Sequence, residues 1–133
     1  MSVIDASVFA DALLVAGPRG DLARDVVAQE HELHVPEIFP TEVLSAIRGH
    51  HLAARVSTAR ARRAMEQLAT VRLERYPVEP FIDRIWELRD NLTVYDAAYV
   101  ALAERLETTF VTADRPVARA ATVRCEIRKL RNG

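Results

Sequence analysis

Leu92-Thr-Val-Tyr-Asp-Ala-Ala-Tyr-Val-Ala-Leu-Ala-Glu104, followed shortly by Thr109-Phe-Val-Thr-Ala-Asp114, is the stretch whose reading decides the fold. Tyr95, Tyr99, Leu102 and Leu106 recur at helical spacing, whereas Thr109 to Thr112 is a β-favouring run that stops at an acid. A helix that hands over to a short apolar strand is one unit of a parallel α/β sheet, and in such sheets ligands bind where strands end and helices begin. Tyr95 and Tyr99 read as core positions of this helix rather than as platforms for stacked bases.

The same grammar extends in both directions. Ser2 to Ile4 reads as a strand ending at Asp5, with Ser7 as the cap of an apolar helix from Val8 to Val15 and a turn at Gly17-Pro-Arg-Gly20. Asp21 then caps a helix to about Glu30. Leu33 to Val35 is a brief strand, and Pro40 opens a helix with Glu42 in its first turn, reaching about Arg48 and stopped by Gly49 ahead of His50 and His51. Between Val56 and Thr70, Ala61, Ala64, Met65 and Leu68 form one stripe with Arg55, Arg60, Arg62 and Arg63 around the rest of the helix. Arg72 to Tyr76 reads as a strand ended by Pro77. Phe81, Ile85 and Leu88, with Ile82, Trp86 and Arg89, mark another amphipathic helix. After Asp114 the pattern predicts a short helix from Val117 to Ala121 and a last strand near Arg124 to Ile127. Strands alternating with helices predict an α/β fold, a three-layer α/β/α arrangement around a mainly parallel sheet of four to five strands.

The chain has 133 residues, of which 50% are hydrophobic, enough for one domain over 1–133 with a sizeable core. A formal net charge of -1 exerts no global pull on nucleic acid, so RNA binding needs a local patch. Lys129 is the only lysine, so the remaining basic residues are arginines, which suits either phosphate recognition or a plain coding bias. Cys125 is the only cysteine, which excludes an intramolecular disulfide and a cysteine-based zinc cluster and reads as a packed, inert thiol. His31, His34, His50 and His51 lack the spacing of a helical zinc pair and read as surface residues. No apolar run approaches the ~18 residues a membrane span needs, and no basic leader precedes Asp5, so the chain reads as cytoplasmic.

Asp5, Glu42, Asp96 and Asp114 therefore stand out. Each alone has a structural explanation, because aspartate suits helix N-caps and first-turn carboxylates offset the helix dipole by ~0.3–1 kcal/mol. Thr93 with Asp96 is a variant capping box, and Asp114 fits a cap for the helix that follows it. Together, carboxylates at strand ends and helix starts would make an oxygen-rich site for Mg2+ or Mn2+.

Val3-Ile-Asp-Ala-Ser7, Pro40-Thr-Glu-Val-Leu44, the Leu92 to Glu104 stretch and Phe110-Val-Thr-Ala-Asp114, in that order, resemble the PIN-domain ribonucleases, and within them the small VapC-type toxins of type II toxin–antitoxin pairs. The resemblance spans essentially the whole chain. It implies Mg2+- or Mn2+-dependent endonucleolytic cleavage of RNA that leaves a 5′-phosphate and a 3′-hydroxyl. Asp5, Asp96 and Asp114 would be the main ligands and Glu42 a ligand or water-orienting base. Ser7 and Thr112 match hydroxyl positions that support the site by hydrogen bonds. The resemblance further implies a VapB-like antitoxin whose basic tail fills the acidic cleft, and a homodimer. Arg89 and Arg115 are candidates for RNA phosphates, with a solvated charged surface as the alternative. PIN proteins often carry a further acid shortly after the one matching Asp114, whereas Arg115-Pro116-Val117 follows here, which leaves one metal or two equally open. A PIN nuclease of RNA processing or decay and a non-catalytic PIN-like RNA-binding module are the alternatives. A receiver domain or a haloacid-dehalogenase-type phosphatase fits poorly, since paired N-terminal acids are absent from Asp5-Ala-Ser7.

Overall fold

The computed structural model describes residues 1–113 and 122–130. Among these residues, five strands and six helices follow in the order β1 (Val3–Ile4), α1 (Ala6–Leu14), α2 (Pro18–Ala28), β2 (Leu33–Pro36), α3 (Phe39–Leu52), α4 (Thr58–Thr70), β3 (Leu73–Tyr76), α5 (Ile82–Glu87), α6 (Val94–Arg105), β4 (Phe110–Thr112) and β5 (Ile127–Lys129). A 3-10 turn over Glu79–Phe81 leads into α5. All strand pairings are parallel, as the α/β alternation requires.

The strands form two sheets, ordered β1-β4-β5 and β2-β3, instead of one sheet of four to five strands. Register sets Val3 opposite Phe110, Ile4 opposite Val111, and Leu33 opposite Leu73. β1 lies beside β2, but it is only two residues long and its ladder bonds go to β4: Val3 donates to the Thr109 carbonyl at 2.9 Å and Asp5 to that of Val111 at 2.8 Å. The start of β1 is instead tied to Glu30, whose carboxylate accepts from the Ser2 amide at 2.7 Å and its hydroxyl at 2.6 Å.

Tyr99, Phe39 and Phe110 are the largest fully buried side chains. Tyr99 stacks on Phe110 with centroids 5.5 Å apart, and Phe9 meets Phe39 edge-on at the same distance. These pairs bring α6, β4, α1 and α3 to one core.

Several local expectations are corrected. The chain between Gly17 and Gly20 is not a turn: only Gly17 (φ 82) leaves the helical region, and Pro18 already starts α2. Gly20 is required for close approach, because a Cβ there would meet the Val15 carbonyl oxygen at 1.7 Å. Asp21 accordingly lies inside the first turn of α2, with Gly17 as the cap. Gly49 does not stop α3, which continues through His50 and His51 to Leu52 and ends where Ala54 turns to φ 59. One exposed glycine costs a helix only ~1 kcal/mol, less than the continuing hydrogen bonds supply. The last strand is Ile127–Lys129 rather than Arg124 to Ile127, since the Arg124 amide donates at 2.7 Å to Glu104 and not to a ladder partner. Ile82, Trp86 and Tyr95 are exposed despite their helical spacing. The predicted helix from Val117 to Ala121 lies outside the described residues. Among the described residues, no helix is long and apolar enough to cross a membrane. Burial pushes the half-buried Cys125 thiol up to about 11, so it stays protonated and unreactive at neutral pH.

Candidate active site

β1 ends against β4, so Asp5 emerges beside Thr112 at the carboxyl end of adjacent parallel strands. Asp5 occupies the N-cap position of α1, but its carboxylate makes no capping hydrogen bond to the helix. It is 2% exposed, and Oδ2 accepts the Ser7 hydroxyl at 2.6 Å and that of Thr112, itself fully buried, at 3.0 Å. The Ala113 amide donates to the Ser7 oxygen at 3.3 Å and closes a ring across β1, α1 and β4. Ser7 is therefore not the helix cap that its position suggests; its hydroxyl points back to Asp5. A buried carboxylate is tolerated where donors hold it, and hydroxyl donors hold it without bringing positive charge.

Asp96 lies in the first turn of α6 and is 7% exposed. The cap of that helix is Thr93, whose Oγ1 accepts from the Asp96 amide at 3.1 Å. The threonine half of the expected capping box is present, and it is the backbone of Asp96 that it uses. Glu42 sits in the first turn of α3, half-buried.

Tyr99 links these acids. It follows Asp96 by three residues, which sets both on one face of α6. Its hydroxyl donates to Glu42 Oε1 at 2.8 Å, and the Ala6 backbone amide lies against its oxygen. The phenol is held well above its ordinary value of 10.0, first by burial, then by the negative charges of Glu42 and of Asp5. Glu42 by hydrogen bond and Asp5 by its charge thus act on one buried hydroxyl, carried by the same helix as Asp96. Helical spacing places Tyr99 in the core, where it is, but carries no sign that its hydroxyl meets Glu42, 57 positions away.

Asp114 and Arg115 lie outside the described residues, as does Pro116. Arg89 is exposed, with its guanidinium 4.6 Å over the Trp86 ring and Nη1 donating to the Trp86 carbonyl at 2.9 Å. Asp5, Glu42 and Asp96 offer only carboxylate oxygens, the ligand type of hard divalent cations, while among the described residues no group of three or more acids, histidines or cysteines is placed to hold an ion. Another buried acid, Asp11, is gripped instead by Arg19 at 2.9 Å.

A family model of the PIN domain matches residues 2–123. The chain is 41% identical over 127 residues to Ribonuclease VapC9 of Mycobacterium tuberculosis, covering 96% of each chain. It is 36% identical over 130 residues to Ribonuclease VapC1 of the same organism, covering 97% of each, and 32% identical over 127 residues to its Ribonuclease VapC12, covering 96% of this chain and 97% of that one. The chain belongs to the PIN domain family, alongside the VapC ribonucleases.

Proposed function

We propose that this PIN domain, a single domain over 1–133, is an endoribonuclease and the toxin of a type II, VapBC-like toxin–antitoxin pair. The observation that supports the reading is the Tyr99 hydroxyl, on the helix that bears Asp96, which donates to Glu42 and feels the charge of Asp5 at the end of β1, where a parallel sheet offers its ligand site. Asp5, Asp96 and Asp114 would hold Mg2+ or Mn2+, with Glu42 as a further ligand or as the water-orienting base. Bound there, the ion would polarise a phosphate oxygen and lower the pKa of an attacking water.

The chain's own residues supply the geometry. Ser7 and Thr112 hold one oxygen of Asp5, so its carboxylate does not rotate away from the cleft. Glu42 takes the proton of the water that adds to phosphorus in line. The bond to the 3′-oxygen breaks and that oxygen takes up a proton, returned by Glu42 or drawn from solvent, leaving a 3′-hydroxyl and a 5′-phosphate. Arg115 and Arg89 are placed by sequence near the acid motifs and would meet RNA phosphates.

A VapB-like antitoxin would silence the enzyme by laying a basic tail into the acidic cleft, ordering as it binds. A homodimer is supported by the exposed apolar side chains of Ile82 (53% exposed), Trp86 (62%), Val94 (56%) and Tyr95 (57%) on α5 and α6, a concentration unusual for a surface left open to water. An RNA substrate and a VapB-like partner would be met in the cytoplasm, which is the location this reading supports. Purified protein freed of antitoxin should cleave RNA, lose activity in EDTA and recover it with Mg2+ or Mn2+. Undiminished cleavage in EDTA overturns the metal reading. Native purification that repeatedly recovers no small basic-tailed partner favours a processing or decay nuclease over a toxin.

A further inference from the structure

We infer that Tyr99 is a positioning residue for Glu42, holding its carboxylate in the cleft through the phenol hydroxyl. The inference rests on the metal-dependent reading above and adds a residue to it. Glu42 is carried by α3 and is only half-buried, so backbone alone leaves its long side chain several rotamers. Tyr99 has no such freedom: it is fully buried and its ring is stacked on Phe110. A rigid phenol donating at 2.8 Å therefore transfers the order of the core to an acid at its edge. The ring and the hydroxyl have separable duties. The ring fills the space between α6 and β4, and the hydroxyl reaches past the start of α1, where the Ala6 amide meets its oxygen, to Glu42. A phenylalanine would satisfy the core equally well, so the hydroxyl is what packing does not explain.

Outer partners that orient a ligand or base typically matter by about 10–100-fold in metal affinity or activity. The test is Mn2+ titration by calorimetry on antitoxin-free protein, together with melting curves in EDTA, for the parent, Tyr99→Phe, Glu42→Gln and the double variant. Tyr99→Phe should melt in EDTA within a few degrees of the parent yet bind Mn2+ about tenfold more weakly. Adding it to Glu42→Gln should cost little more than Glu42→Gln alone, because the hydroxyl acts through that side chain. Cleavage by Tyr99→Phe should fall in kcat with KM nearly unchanged. Unaltered kcat together with unaltered Mn2+ affinity, a loss that adds fully to that of Glu42→Gln, or the absence of a cooperative melt each overturn the positioning role, the last in favour of a purely structural one. Asp5→Asn and Asp96→Asn serve as reference. If both bind Mn2+ like the parent, the metal reading itself fails; if they lose binding while Tyr99→Phe does not, only the role of Tyr99 falls.

Discussion

The surroundings of Asp5 and the Arg84–Glu104 cluster both anchor acids at the edge of the core, by different chemistry. Glu104 on α6 is gripped by the Arg84 guanidinium at 2.7 and 2.9 Å and by the Arg124 amide at 2.7 Å. Arg84 also donates to Glu87 at 3.0 Å and to the Thr122 carbonyl, so the cluster fastens the chain leading into β5 onto α5 and α6. Burial pushes the Glu104 carboxyl up, but the hydrogen bonds from Arg84 and Arg124 outweigh it and hold it below its ordinary value of 4.5. Asp5 and Glu42 are met instead by the hydroxyls of Ser7, Thr112 and Tyr99. A guanidinium brings a countercharge to the carboxylate it grips, whereas a hydroxyl fixes the direction of the carboxylate it meets.

The contrast breaks most readily at the aspartates. Asp5→Ala and Asp96→Ala should each lower RNA cleavage by more than the roughly 100-fold upper range of outer-shell losses while retaining a cooperative melt. Single-turnover cleavage assays that find either variant within tenfold of the parent would remove that residue from the site.

Arg84→Ala should act on the fold. With Arg84 and Glu104 mostly buried, the loss lies between those of exposed and fully buried pairs, about 2–4 kcal/mol in denaturant titration, with Mn2+ affinity changed less than twofold. The pH dependence follows from the lowered carboxyl. Its stabilisation is fully present above the ordinary 4.5 and is lost as pH falls through the lower folded value. Glu104→Gln should therefore be less stable than the parent at neutral pH and should flatten the parent's acid-side slope below about pH 4.5. Parallel slopes for the two proteins would contradict this account.

Thr112→Val preserves shape at the end of β4 and removes the donor to Asp5. Cleavage should fall about tenfold, with Mn2+ binding weakened alongside it. A melting point lowered without any change in Mn2+ affinity would make Thr112 a member of the structural group.

Arg60→Ala should have the smallest effect. Its guanidinium reaches the Leu13 and Leu14 carbonyls at 3.4 Å, at the negative end of α1, where a cation contributes ~0.3–1 kcal/mol. Cleavage should stay within twofold of the parent. A larger loss in cleavage that grows at low salt would assign Arg60 to RNA phosphates.

Much of this was legible in residue order alone. Alternating strand and helix signals dictate parallel pairing, since each strand must be followed by a crossover, and the motifs around Asp5, Glu42 and Asp96 stand at strand ends and helix starts for that reason. Local patterns could not say which side chain meets which. Gly49 reads as a stop until the packing of α3 carries the helix past it, and Ser7 reads as a cap until β4 brings Thr112 and Ala113 to the other side of Asp5. The division of the sheet between β1 and β2, which lie side by side in separate ladders, depends on the placement of segments distant in sequence. Tyr99 makes the same point at one residue: helical spacing determined that its ring is buried, and only the approach of α3 to α6 decided that its hydroxyl would find Glu42, because a hydrogen bond between residues 57 positions apart has no local pattern to reveal it.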